Sequence, residues 1–194
     1  MARLISPPRR RSRPAIPILV LVLAAGACTP APDPSARPPA GAEPPLATAE
    51  LRGAEYPVEL VDGGRVRLVD GAYPGTAADR DTAGLSAWLE EPLALGTLGP
   101  GKPAAAVVLE VSGGGTGTFA WLYLMARVQD TARPIAGALL GDRVEVAGLR
   151  FAGDTIVVRL VTHGPADPLC CPTMEVVRRY LREDGVLREV DPGS

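Results

Sequence analysis

The chain has 194 residues, a formal net charge of −2 and 46% hydrophobic residues. That length allows one domain or two small ones, and that apolar content excludes a wholly disordered chain. The near-neutral charge leaves no basic face for nucleic acid. A single His and no Asn leave few side chains for metal or nucleophilic chemistry.

Residues 1–27 carry five Arg and no acid, and their apolar run over 15–27 is 13 residues long. As a helix that run reaches only ~20 Å, short of the ~30 Å hydrocarbon core of a bilayer. It is therefore too short to span and suited to the core of a secretory signal. Ala25, Gly26 and Ala27 then meet Cys28. This resembles the lipobox of bacterial lipoproteins, in which the cysteine is lipidated and becomes the mature N-terminus; Ala25 stands where those sequences usually place Leu. Cleavage before Cys28 removes five positive charges and takes the chain from −2 to −7. The expected location is the bacterial cell envelope, lipid-anchored to the outer membrane or the outer face of the cytoplasmic membrane, where disulfides persist.

Seven of the 17 residues over 29–45 are Pro. Such a stretch has no apolar pattern to bury and tends to polyproline II, a semi-rigid spacer. The expected organisation is a signal peptide over 1–27, a lipidated Cys28 with a Pro/Ala-rich, disordered linker over 28–54, and one β-rich domain over 55–191.

Within that domain, 65–69 alternates and ends in the turn pair Asp70-Gly71, which predicts a strand. Residues 76–84 read as loop, and LSAWLEEPLALG (85–96) as a strand broken at Pro92. Residues 104–111 form a nearly continuous apolar run, the pattern of a central strand, and 119–128 is aromatic-rich and apolar on both faces. A short strand is expected at 134–140. Residues 143–151 and 155–162 flank Ala152-Gly153-Asp154 and read as a hairpin. The segment 174–181 fits a strand or a short helix, and Asp184-Gly185 turns the chain into 186–190. Gly and Pro punctuate every 8–12 residues and long helical periodicity is absent. The expected fold is mainly β: a single antiparallel sandwich or partly closed barrel.

The run Gly113-Gly114-Gly115-Thr116-Gly117-Thr118 follows a strand, but no Gly-Lys-Ser/Thr comes after it and the next segment is β-like. It reads as a hairpin loop, not a phosphate loop.

Residues 104–108, the GGGTGTF tract ending at Phe119, the stretch Leu139-Leu140-Gly141-Asp142-Arg143, and Val161-Thr162-His163-Gly164-Pro165 with Asp167-Pro168-Leu169-Cys170-Cys171-Pro172-Thr173 together resemble a family of bacterial envelope lipoproteins of uncharacterised activity. The likeness covers most of 56–183. It implies location and shape, and no activity. In relatives an acidic Gly-Asp-Gly-rich loop of calcium-binding appearance precedes the Ala-Ala-Val strand. Here the stretch 96–103 holds no carboxylate and includes Lys102, so no calcium site is predicted.

With Cys28 lipidated, Cys170 and Cys171 are the remaining thiols. Three readings stay open. In the first they form a vicinal disulfide, strained because adjacent Cα atoms stand ~3.8 Å apart where disulfides prefer ~4.4–6.8 Å, and locking a turn between Pro168 and Pro172. In the second they are reduced, buried small hydrophobes. In the third, His163, Cys170, Cys171 and Met174 supply soft ligands for copper or zinc, which requires a turn, because neighbouring side chains on a strand diverge. His163 reads more simply as a structural histidine whose Nδ1 serves the following Gly164-Pro165 turn. Asp142, Asp154, Asp167 and Asp184 sit beside Gly or Pro, where Asp shapes turns, and Ser112 lacks a nucleophile elbow. No catalytic residue is assigned and no cofactor is expected. The expected role is non-catalytic binding or assembly, with the membrane and an envelope protein as partners. The competing role is a thiol-based soft-metal or redox function, and a weaker one is a hydrolase with His163 as base.

Overall fold

The computed structural model describes residues 43–59, 64–73 and 84–190, all inside one compact unit spanning 39–194. The leader, Cys28, the linker up to residue 42 and the loop residues 76–83 lie outside the described residues.

The described chain is mainly β, with one short helix and ten strands. Helix α1 (Thr48–Arg52) is followed by β1 (Glu55–Pro57) and β2 (Arg65–Arg67), an antiparallel pair in which Tyr56 faces Val66. Next comes a four-stranded antiparallel meander of β3 (Leu85–Leu98), β4 (Lys102–Gly113), β5 (Phe119–Val128) and β6 (Thr131–Asp142). A second meander follows from β7 (Glu145–Ala152), β8 (Thr155–Thr162), β9 (Met174–Glu183) and β10 (Val186–Glu189). The two four-stranded sheets form a sandwich; neither closes into a barrel.

Period-2 alternation explains why β4 is apolar throughout. Ala105, Val107, Leu109 and Val111 face one core, shared with Leu46, Leu51, Tyr56, Val66 and Leu68 of the N-terminal segment. Ala104, Ala106 and Val108 face the other, shared with Ile156, Val158, Leu160 and Tyr180 of the second sheet. The β3–β6 sheet is thus a middle layer, and a strand buried on both faces has no polar alternation to show. Strand β5 divides likewise, with Leu122 and Leu124 toward the second sheet and Tyr123 and Met125 toward the N-terminal segment.

Close sheet approach is set by Gly96 on β3, where a Cβ would run into the Phe151 ring of β7. Arg178 Nη1 on β9 donates to the Leu140 carbonyl of β6 at 2.8 Å. At the turn between β3 and β4, Gly99 N–H donates to Asp154 Oδ1 in the β7–β8 turn at 2.8 Å.

The structure corrects the sequence reading at three places and decides a fourth that the sequence left open. Residues 46–54 belong to the fold, not to the linker: Leu46 and Leu51 are buried, and the Tyr56 hydroxyl donates to the Leu51 carbonyl at 2.9 Å. Arg127 fastens this segment, donating to both carboxylate oxygens of Glu50 at 2.9 and 2.8 Å and to the Pro45 carbonyl at 3.1 Å. Pro92 does not end β3; the strand passes through a cis Glu91–Pro92 bond and a register shift between Glu90 and Ala94, the irregularity at which a sheet tolerates proline. Strand β6 is longer than 134–140 because it follows β5 along its whole length, from Phe119↔Asp142 to Val128↔Thr131. The ambiguous 174–181 segment is strand, paired to β8 from Thr162↔Met174 to Ile156↔Tyr180.

Candidate functional site

Two loops and one groove carry the chemistry-bearing residues, and all lie toward the end of the sheets where β5 begins and β6 ends. The first loop joins β8 to β9 and contains His163, Cys170 and Cys171. Asp167 folds it. One oxygen, Oδ2, accepts from the backbone N–H of Gly164 at 2.8 Å and of Thr173 at 2.7 Å, while Oδ1 accepts from the Thr173 hydroxyl at 2.8 Å. These donors, led by the Gly164 N–H, hold the Asp167 carboxyl below the ordinary aspartate range, with His163 adding to the effect. The Asp-Pro-x-Cys-Cys-Pro-Thr spacing reads physically as a carboxylate reaching both sides of a loop.

Cys170 and Cys171 occupy a turn in which the Cys171 N–H donates to the Pro168 carbonyl at 3.0 Å. Both cysteines are exposed, so the buried-thiol reading is corrected. Their sulfurs lie at disulfide distance across Cα atoms 3.8 Å apart. The turn is what lets neighbouring side chains meet. His163 also departs from expectation. Its Nε2 lies 3.1 Å from the Leu169 carbonyl, so the ring braces the cysteine turn through Nε2 instead of serving Gly164-Pro165 through Nδ1. Met174 opens β9 and is exposed. The two sulfurs are turned to each other. No cluster of three or more metal-ligating His, Cys, Asp or Glu occurs among the described residues.

The glycine run is the β4–β5 connection, as its hairpin reading requires. It is tied to the cysteine loop by Arg143, whose Nε donates to the Thr116 carbonyl at 3.0 Å and whose Nη1 donates to the Leu169 carbonyl at 2.9 Å. Asp142 completes the junction, accepting from Thr118 N–H at 3.0 Å and pairing with Arg143 at 3.1 Å.

Beside this junction lies an apolar groove of about 340 Å³. Its floor is made by Phe119, Trp121 and Tyr123, alternate residues of β5, with Val111 and Leu139 alongside and Pro57–Glu59 forming one wall. Trp121 and Tyr123 are nearly parallel, 14° apart in plane with ring centroids at 6.4 Å. The Tyr123 hydroxyl donates to the Pro57 carbonyl at 2.6 Å, and its ring leans across Gly137, where a Cβ would come within 2.8 Å of it. Phe119 is 39% exposed and Leu139 48%. Sequence reasoning read 119–128 as aromatic-rich and apolar on both faces, and missed the groove. The signal was present as three aromatic rings at a spacing of two, which a strand turns to one face. What the sequence does not disclose is that Phe119 and Leu139 stay exposed on this face beside Pro57–Glu59.

A more open depression of about 530 Å³ is rimmed by Glu90, Glu91, Glu110, Glu145 and Arg143. Glu110 is held above the ordinary glutamate range, first by burial and then by the charge of Glu90. No family model, no curated protein and no solved structure matches this chain.

Proposed function

We propose that the chain is a lipid-anchored protein of the bacterial envelope, allied to lipoproteins that carry the Asp-Pro-x-Cys-Cys-Pro-Thr motif, whose β domain is a non-catalytic binding module on a Pro-rich stalk. One observation carries the anchor: Cys28 stands where an apolar run of signal-core length meets three small residues. The binding role is supported by the aromatic groove, which is concave, apolar and bounded by positioned side chains. Mass spectrometry of the N-terminal peptide from cell membranes tests the anchor. A peptide beginning at Cys28 and bearing a diacylglyceryl thioether is expected, and Cys28→Ala shifts the protein out of the membrane fraction. An unprocessed chain beginning at Met1 and free of lipid overturns the reading.

The exposed, braced cysteine turn supports a second reading, a thiol redox function of Cys170 and Cys171 with His163 beside them. Its test is biological. Cys170→Ser and Cys171→Ser forms that keep the full cellular effect of the protein eliminate it.

A further inference from the structure

We propose that Cys170 and Cys171 undergo thiol–disulfide exchange with an external dithiol, and that closing or opening their ring fastens or frees the junction between the cysteine turn and the glycine loop. The proposal deepens the thiol redox reading and rests on it. Three observations point to it.

The first is access. Cys170 and Cys171 are exposed, and so is Leu169 before them, at 77%. Exchange proceeds by attack of a thiolate on one disulfide sulfur, so an exposed pair is open to it. The sulfurs lie at disulfide distance on neighbouring residues, so closing the ring asks for no rearrangement of the strands.

The second is what is fastened to the backbone of the ring. The carbonyl of Leu169, whose peptide bond leads into Cys170, accepts from Arg143 Nη1 at 2.9 Å and lies 3.1 Å from His163 Nε2. The Cys171 N–H donates to the Pro168 carbonyl at 3.0 Å. Side chains of neighbouring residues diverge in extended backbone and meet only in a turn. The closed ring therefore holds the turn that presents the Leu169 carbonyl to Arg143. The open pair carries no such constraint.

The third is the receiver. The same Arg143 guanidinium donates to the Thr116 carbonyl at 3.0 Å and to the Thr116 hydroxyl at 3.3 Å, and it pairs with Asp142 at 3.1 Å. The Arg143 backbone N–H donates to the Thr118 carbonyl at 2.7 Å, and Asp142 accepts from the Thr118 N–H at 3.0 Å. A change at Leu169 thus reaches the glycine loop through one side chain.

The chemistry is a two-electron exchange. One thiolate of the dithiol attacks one cysteine sulfur, forms a mixed disulfide and expels the other cysteine as a thiolate, which takes up a proton. The second thiol of the dithiol, once deprotonated, displaces the first cysteine, which is protonated in turn. The cysteine pair is reduced and the dithiol becomes a disulfide; a disulfide reagent runs the reverse.

The experiment uses the full chain with Cys28→Ala, which leaves Cys170 and Cys171 as its thiols. The chain is equilibrated with oxidised or reduced dithiothreitol, trapped with iodoacetamide and weighed, and amide exchange is followed in both states. Alkylation is expected at neither cysteine in the oxidised form and at both in the reduced form. On reduction the Cys171 and Thr118 amides are expected to exchange about fivefold faster, the effect of losing roughly one hydrogen bond. The buried strand amides of Val107 and Val158 are expected to keep their rates. In Arg143→Ala the Cys171 amide should still respond to reduction, and the Thr118 amide should no longer do so. A pair that stays open to alkylation in oxidised dithiothreitol overturns the coupling and the thiol redox reading together. Reversible exchange with equal Thr118 rates in the two states overturns the coupling and leaves the redox reading. So does an equal acceleration at Val107 and Val158, which marks a general loosening.

Discussion

Arg143 joins Thr116 to Leu169: one guanidinium donates to the Thr116 carbonyl at 3.0 Å and the Leu169 carbonyl at 2.9 Å. The glycine loop and the cysteine turn, about 50 residues apart in sequence, are thereby one assembly. Arg143 does this from a backbone φ of 51°, in the left-handed region, where a residue with a Cβ is strained by ~1–2 kcal/mol. Two substitutions separate the clamp from the strain. Arg143→Ala removes the hydrogen bonds and keeps the strain, and should cost about 1–3 kcal/mol. Arg143→Gly removes both, and should be the milder change by roughly 1 kcal/mol. Urea midpoints of the two variants check the order, and faster amide exchange at Cys171 in both checks the loss of coupling.

Asp167 should make the cysteine loop sensitive to acid without making the domain so. Its carboxyl is held below the ordinary 3.8 by hydrogen bonds that exist only when the loop is folded. A depressed carboxyl adds stability above its unfolded value and loses it as pH falls through the folded value. The loop is therefore expected to stay intact from neutrality down to about pH 4 and to loosen below it. The Gly164 and Thr173 amide resonances, followed against pH, report the release. In Asp167→Asn they should show no such transition, with the loop already partly released at neutral pH.

Much of the architecture is legible in the residues because strand pattern survives wherever burial is simple. The span 119–128 coincides with β5, and 155–162 with β8, since each is apolar enough to mark its own limits. The cysteine turn is legible too, because Asp, Pro and adjacent Cys have few other uses together. Other features depend on partners remote in sequence. Residues 46–54 look like linker because Leu46 and Leu51 are the only large apolar residues there. Their structure comes from Arg127, 77 positions beyond Glu50. The groove is hidden for the converse reason: its aromatic residues look like core, although beside the N-terminal cover Phe119 stays 39% exposed.

That cover supplies a direct test of where the domain begins. Leu51 is fully buried against the β3–β6 sheet. Leu51→Ala should destabilise by ~2–5 kcal/mol, the range for deleting a buried leucine side chain without collapse of the cavity. Chemical denaturation measures it. A cost below about 0.5 kcal/mol, typical of a surface change, would return residues 46–54 to the linker.

Glu110 lies on β4 where the apolar run ends, opposite Trp88 and Ala120. Burial, and then the neighbouring Glu90, raise its carboxyl above the ordinary 4.5. The sign is opposite to that of Asp167. A raised carboxyl contributes stability while protonated and loses it as pH climbs through the folded value, so at neutral pH the charge opposes folding. Glu110→Gln removes that charge and should stabilise the domain near pH 7. The group is only partly buried and solvent screens it, so the gain should be modest, on the order of 0.5 kcal/mol. The advantage should disappear at about pH 4, where Glu110 is itself neutral. Thermal melts of the two forms at both pH values test this. An equal difference at the two pH values would show that packing, not charge, sets the effect at this position.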